Sequence, residues 1–196
     1  MAKVERERLF SFSGDSFVSK PSVGGKDYAP VIVGITWGHQ KVHDGNMFAG
    51  GHVFEAVADG GTATLYLKPS GTNEIHIMPL VSHGGDAFGY FRENVTMSDP
   101  GSAITLQNNN RNSDNTSTVS LYYSPTYGTA AGSYGTAIAG GYMAGGEGNP
   151  AAVTGGGQRA TNEWILNPNY GYAFDVVNKA GAAKTINIGM RFYECC

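Results

Sequence analysis

The chain has 196 residues, long enough for one good hydrophobic core, and its charged residues make up only 15% against about 25% in an average soluble domain. Sixteen acidic and 13 basic residues leave a net charge of −3, so no basic excess exists to neutralise phosphates, and nucleic acid is not expected as a partner. Residues 1–10 are charged where a secretory signal needs an apolar run, and no eighteen apolar residues stand together, so synthesis in a cytosol and no membrane association are expected.

Residues 1–30 lack any sustained period and contain Gly14, Pro21, Gly24, Gly25 and Pro30. They are expected to form an extended N-terminal arm, whose apolar side chains Phe10, Phe12, Phe17 and Val18 anchor it to a neighbouring surface. From Pro30 onward, β-prone runs bounded by turn formers predict strands at 31–37, 47–57, 62–68, 74–81 and 88–95. Ala63, Leu65 and Leu67 alternate with Thr64, Tyr66 and Lys68, and Ile75 and Ile77 with Glu74, His76 and Met78, which predicts one buried and one wet face.

Further strands are predicted at 103–107, 118–123, 163–166, 172–177 and 184–193. The last is the clearest, with Ile186, Ile188, Met190 and Phe192 set against Thr185, Asn187, Gly189 and Arg191. Glycines interrupt every stretch long enough for a helical period, so almost no helix is expected. About ten short strands predict a single all-β domain over 31–196, an antiparallel, jelly-roll-like β-sandwich, since one sheet alone would leave its apolar face exposed. Within it, 128–157 holds eleven glycines and seven alanines and reads as a long flexible or interface loop bearing Tyr134 and Tyr142.

Residues that carry chemistry are few. The glycine-rich stretch has no lysine to make a phosphate cradle. His39 and His43 have a spacing seen in zinc sites, but in a strand-and-turn context ending at Asp44-Gly45-Asn46 they read as surface histidines. His52, His76 and His83 are scattered, and no G-x-S-x-G elbow accompanies them. Asp86 with Glu93, or Asp59 with Glu74, are the carboxylate pairs that a glycosidase would need, among sixteen acids that supply many accidental pairs. Trp37 and Trp164 read as core residues. No catalytic constellation, metal or cofactor is therefore expected.

The run N-N-N-R-N-S-D-N at 108–115 is dense in turn formers and reads either as a hairpin tip or as a subunit contact through Arg111. Cys195 and Cys196 are adjacent and follow the last strand, where bridging each other requires a strained ring. They read either as cross-links to a neighbouring subunit outside the reducing cytosol or as free surface thiols.

Three segments taken in order, N-R-N-S-D-N-T-S-T-V-S-L-Y-Y-S-P-T (110–126), G-G-Q-R-A-T-N-E-W-I-L-N-P-N-Y-G-Y-A-F-D-V-V-N (156–178) and I-G-M-R-F-Y-E (188–194), resemble a family of tailed-bacteriophage virion proteins. The earlier D-G-N-M-F-A-G-G-H-V-F (44–54) is similar to that family's D-G-x-x-x-x-x-G-x-x-F segment, so the resemblance spans about residues 44–194. It implies a β-sandwich that decorates the outer surface of a capsid, brings no catalytic residues, binds the major capsid protein and forms a homotrimer. The arm and the two cysteines depart from the family pattern. The competing reading from the residues is a carbohydrate-binding or host-recognition module of a phage fibre or tail.

Overall fold

The computed structural model describes residues 38–145 and 163–195, together with the backbone of Trp37 and of three short strands before it; the core role expected of the Trp37 side chain lies outside what is described. Those three are β1 (Leu9–Phe10), β2 (Ser16–Ser19) and β3 (Val31–Gly34), which pair antiparallel in that order. The rest of the expected arm, Phe12 included, and Cys196 lie outside the described residues, as do 146–162 of the glycine-rich stretch.

The one helix among the described residues, α1 (Trp37–His43), leads into β4 (Met47–Val57), β5 (Thr62–Pro69), β6 (Glu74–His83) and β7 (Ala87–Glu93). Five short strands follow: β8 (Met97–Asp99), β9 (Ser102–Ile104), β10 (Gln107–Asn108), β11 (Val119–Tyr123) and β12 (Thr126–Tyr127). The chain then runs through β13 (Thr136–Met143), β14 (Trp164–Leu166), β15 (Tyr172–Asn178) and β16 (Lys184–Cys195). The all-β class expected from the sequence is the class of the structure.

One sheet has the order β10-β4-β16-β6-β14 and the other β13-β7-β15-β5-β11-β9, with antiparallel pairing throughout. The strands β4 to β7 switch sheets at every step, and so do β13 to β16. The resulting interleaved fours, β4-β16-β6-β14 and β13-β7-β15-β5, are the strand order of a jelly roll. The insertion between β7 and β13 adds β11 and β9 to one sheet edge and β10 to the other.

A single core fills the space between the sheets. Ile75, Ile77, Ile186, Ile188, Met190 and Phe192 from the five-stranded sheet meet Leu65, Leu67, Phe91, Leu121, Tyr172 and Val176 from the six-stranded one. Each fully buried apolar side chain stabilises by about 1.5–3 kcal/mol, and the period-two pattern of β16 supplies Ile186, Ile188, Met190 and Phe192 to this core.

Four expectations need correction. The strand expected over 31–37 ends at Gly34, and Trp37 instead opens α1. In β5, Thr64 and Tyr66 are buried as well as Leu65 and Leu67, because β8 and β12 pair into a small ribbon whose neighbourhood covers the outer face with Tyr66, Val95, Ala173, Met97, Tyr122 and Tyr127. The stretch read as a loop over 128–157 contains β13, an edge strand paired with β7; its small residues give it no visible alternation, and the pairing comes from the neighbouring strand. His39 and His43 sit on α1, not in a strand and turn, since seven residues are too few to display a helical period.

Candidate functional site

The pairing registers bring the start of β4, the ends of β5 and β7, the start of β6 and the end of β16 to one end of the sandwich. There α1 closes on a Schellman motif: Gly45, at φ 72°, donates its N–H to the Val42 carbonyl and Asn46 donates to that of Lys41. The asparagine-rich segment folds onto this terminus. Asn110 Nδ2 donates to the His43 carbonyl at 3.1 Å, Asn115 Nδ2 to that of Asp44 at 3.3 Å and Asn108 Nδ2 to that of Gly45 at 2.8 Å. Within the segment, Asn110 N–H donates to Asn108 Oδ1 and Asn112 N–H to Asn110 Oδ1, two consecutive asparagine turns. A distant loop thus satisfies carbonyls that a helix end leaves without partners.

Glu194 ties the same segment to the last strand. Its carboxylate, 5% exposed, accepts from Ser117 Oγ at 2.6 Å, Thr118 N–H at 2.9 Å and Thr118 Oγ1 at 2.8 Å. Its own N–H donates to the Asn46 carbonyl. One residue earlier, the Tyr193 hydroxyl donates to Glu163, whose Oε1 also lies 2.7 Å from His76 Nδ1, while the His76 ring stacks on Tyr193. Burial first, and the Glu163 carboxylate second, push the Tyr193 hydroxyl above its ordinary pKa. A polar cavity of about 420 Å³ opens here, lined by Asn46, Asn73, Asp114, Asn115, Thr118 and Glu194 among others.

The two outer sheet faces differ. On the six-stranded sheet, Asp175 is 5% exposed and accepts from Thr64 Oγ1 at 2.8 Å, Arg92 Nε at 2.8 Å and the Tyr127 hydroxyl at 2.9 Å. This network pins the β8–β12 ribbon down, and desolvation ahead of the Asp175 charge raises the Tyr127 pKa. On the five-stranded sheet the register aligns Leu80, Gly189 and Gly51 in one row and Ser82, Asn187 and Val53 in the next. Val53 is 50% exposed, Leu80 40% and Ile165 62%, and a Cβ on Gly51 would come within 2.9 Å of the Gly189 Cα. These apolar side chains are separate: Ser82 and Asn187 share the row of Val53, and exposed Arg191 stands in the row between Leu80 and Ile165.

Of the residues singled out in the sequence, Arg111 and Cys195 reach the asparagine-rich end. Arg111 is exposed and donates to Gln107 Oε1 at 2.8 Å; Cys195 is a half-buried free thiol beside Glu74 in the register. Tyr134, exposed, stacks on Tyr127 with centroids 4.4 Å apart, whereas Tyr142 packs on Phe88 at the opposite end. Phe10, Phe17 and Val18 lie in β1 and β2. Asp86 precedes β7 and Glu93 ends it, an extended separation of about 23 Å, and Asp59 and Glu74 stand at opposite ends, so neither pair converges. Trp164 packs edge-on against Phe91 in the core and borders an apolar cavity of about 300 Å³ with Tyr90, Tyr142 and Met143.

Glu194, Glu163 and Asp175 were missed as organising residues. Glu194 breaks the alternation of β16 by pointing a charge inward, the one signal that marked it in the sequence. No helix among the described residues is long and apolar enough to cross a membrane. No family model, curated protein or solved structure matches the chain.

Proposed function

We propose that this protein is a non-enzymatic virion structural protein that decorates a phage capsid, binding the major capsid protein and its own neighbours as a homotrimer. The observation that carries the reading is where the segments of family resemblance lie. The D-G-N turn, the N-R-N-S-D-N-T-S-T-V run, the E-W-I-L strand and the closing Y-E converge at one end, joined by Asn115 to Asn46, Glu194 to Ser117 and Thr118, and Tyr193 to Glu163. Their side chains are spent on holding a jelly roll together, which suits a scaffold that works through its surfaces. The surface assigned to partner binding is the outer face of the five-stranded sheet, with Val53, Leu80 and Ile165 as separate apolar anchors, aided by the arm residues Phe10, Phe12, Phe17 and Val18 and, outside the reducing cytosol, by Cys195 or Cys196.

The test is the solution mass of the purified protein with and without reductant, followed by rebinding to capsids stripped of accessory proteins. A trimer that rebinds is expected. Each lost apolar anchor is worth about 1.5–3 kcal/mol, so Leu80→Glu and Val53→Glu should weaken capsid binding at least tenfold. A monomer that ignores capsids, or full binding by both variants, would count against the proposal. The second reading, a carbohydrate-recognition module, is favoured by the polar Asn, Asp and Thr cavity at the asparagine-rich end. Glycan-array binding lost in Asn73→Ala, without capsid binding, would select it.

A further inference from the structure

His39 and His43 stand one turn apart on α1, on the same face of the helix, and both are exposed. Their Nε2 atoms lie 2.9 Å from each other, with ring centroids 4.7 Å apart and planes inclined at 65°. Two exposed imidazoles have water available to each ring nitrogen, so solvation does not require the pair to meet. The segment that carries them is also fixed: the His43 carbonyl is held by Asn110, the following carbonyls by Asn115 and Asn108, and the turn by Gly45. One half of the pair is therefore presented on a braced helix end.

We propose that His39 and His43 form a two-histidine site for a divalent first-row transition ion, with both imidazoles bound through Nε2 in adjacent coordination positions. With metal–nitrogen bonds of about 2.0–2.1 Å, ligands at 90° stand about 2.9 Å apart, and tetrahedral ligands about 3.3 Å. The observed separation matches the right-angle arrangement, which favours tetragonal or octahedral Cu²⁺ or Ni²⁺ over tetrahedral Zn²⁺. No group of three or more His, Cys, Asp or Glu forms a metal cluster among the described residues, so water or donors from a neighbouring molecule complete the shell. The inference is independent of the capsid reading.

The chain has five histidines, all described, so the competing imidazoles are known. The experiment titrates Cu²⁺ and Ni²⁺ into untagged protein carrying Cys195→Ser and Cys196→Ser, by calorimetry, with electron paramagnetic resonance of the copper form. One ion per chain and hyperfine coupling to two imidazole nitrogens are expected. His39→Ala and His43→Ala should each weaken binding on the order of 100-fold by removing the chelate, while His52→Ala keeps it. Because both histidines are exposed, their removal leaves the fold intact, which circular dichroism verifies. Absence of stoichiometric uptake, the result if the pair is only an imidazole–imidazole hydrogen bond, overturns the proposal. Unchanged affinity in either alanine variant does the same.

Discussion

Replacing Glu194 by alanine and by glutamine separates its role as an anchor from its charge. The carboxylate accepts three hydrogen bonds from the asparagine-rich segment, at 2.6, 2.9 and 2.8 Å. Bonds to a charged group contribute about 1.5–3 kcal/mol each, but they are not additive, and the freed Ser117 and Thr118 hydroxyls turn to water. The half-buried Thr118 N–H is fixed in the backbone and has no such freedom, so Glu194→Ala should cost about 3 kcal/mol. Glutamine can place its carbonyl oxygen where Oε1 accepts from Ser117 and Thr118 N–H, and donate its amide to Thr118 Oγ1. It keeps three bonds and loses only their charge assistance, a cost of about 1 kcal/mol. Urea unfolding followed by tryptophan fluorescence measures both, and hydrogen exchange across 108–118 reports the loop. A glutamine variant as unstable as the alanine one, or an alanine variant within about 0.5 kcal/mol of the parent, would refute the anchoring account.

Three further outcomes follow from other parts of the fold. Asp175→Ala leaves Arg92, Thr64 and Tyr127 without their shared acceptor and should cost about 3–5 kcal/mol in urea unfolding, with early exchange in β8 and β12. Gly60→Ala and Gly101→Ala both force alanine to a positive φ, 75° and 84°, but a Cβ at Gly60 meets nothing within 4 Å, whereas one at Gly101 would come within 2.3 Å of the Tyr123 carbonyl oxygen. Calorimetry should find about 1 kcal/mol lost in the first and distinctly more in the second. Asp86 is held below the ordinary carboxylate range by the Gly145 N–H and then the Tyr142 hydroxyl, so its support for the end of β13 is present above the unfolded-state pKa and is lost as pH falls through the lowered one. Tyr127 and Tyr193 have raised pKa values, so their contribution is complete below the unfolded value near 10 and is lost at higher pH. Nuclear magnetic resonance of Asp86 and ultraviolet titration of the tyrosines check these directions.

Strand positions were legible wherever one face is buried and the other wet. β16 and β6 show it: Ile186, Ile188, Met190 and Phe192, and Ile75 and Ile77, take the core positions that their alternation indicates. The turn Asp44-Gly45-Asn46 was also legible, because glycine at positive φ is the usual way to end a helix, although the helix before it was too short to be recognised. Which sheet each strand joins was not, since alternation tells a strand that it has an inside but not what it faces.

The sequence by itself determined the β class, most strand positions and the inward side of the central strands, because these depend on local periodicity and on turn residues acting within a few positions. Only the tertiary structure decided the interleaved jelly-roll order, the second burial of Thr64 and Tyr66, and the meeting of Glu194 with Ser117 and of Asp175 with Arg92. Those partners are 77 and 83 residues apart, and a hydrogen bond at that separation leaves no periodic trace along the chain. It exists because the strands that carry both ends have already been placed side by side by the core.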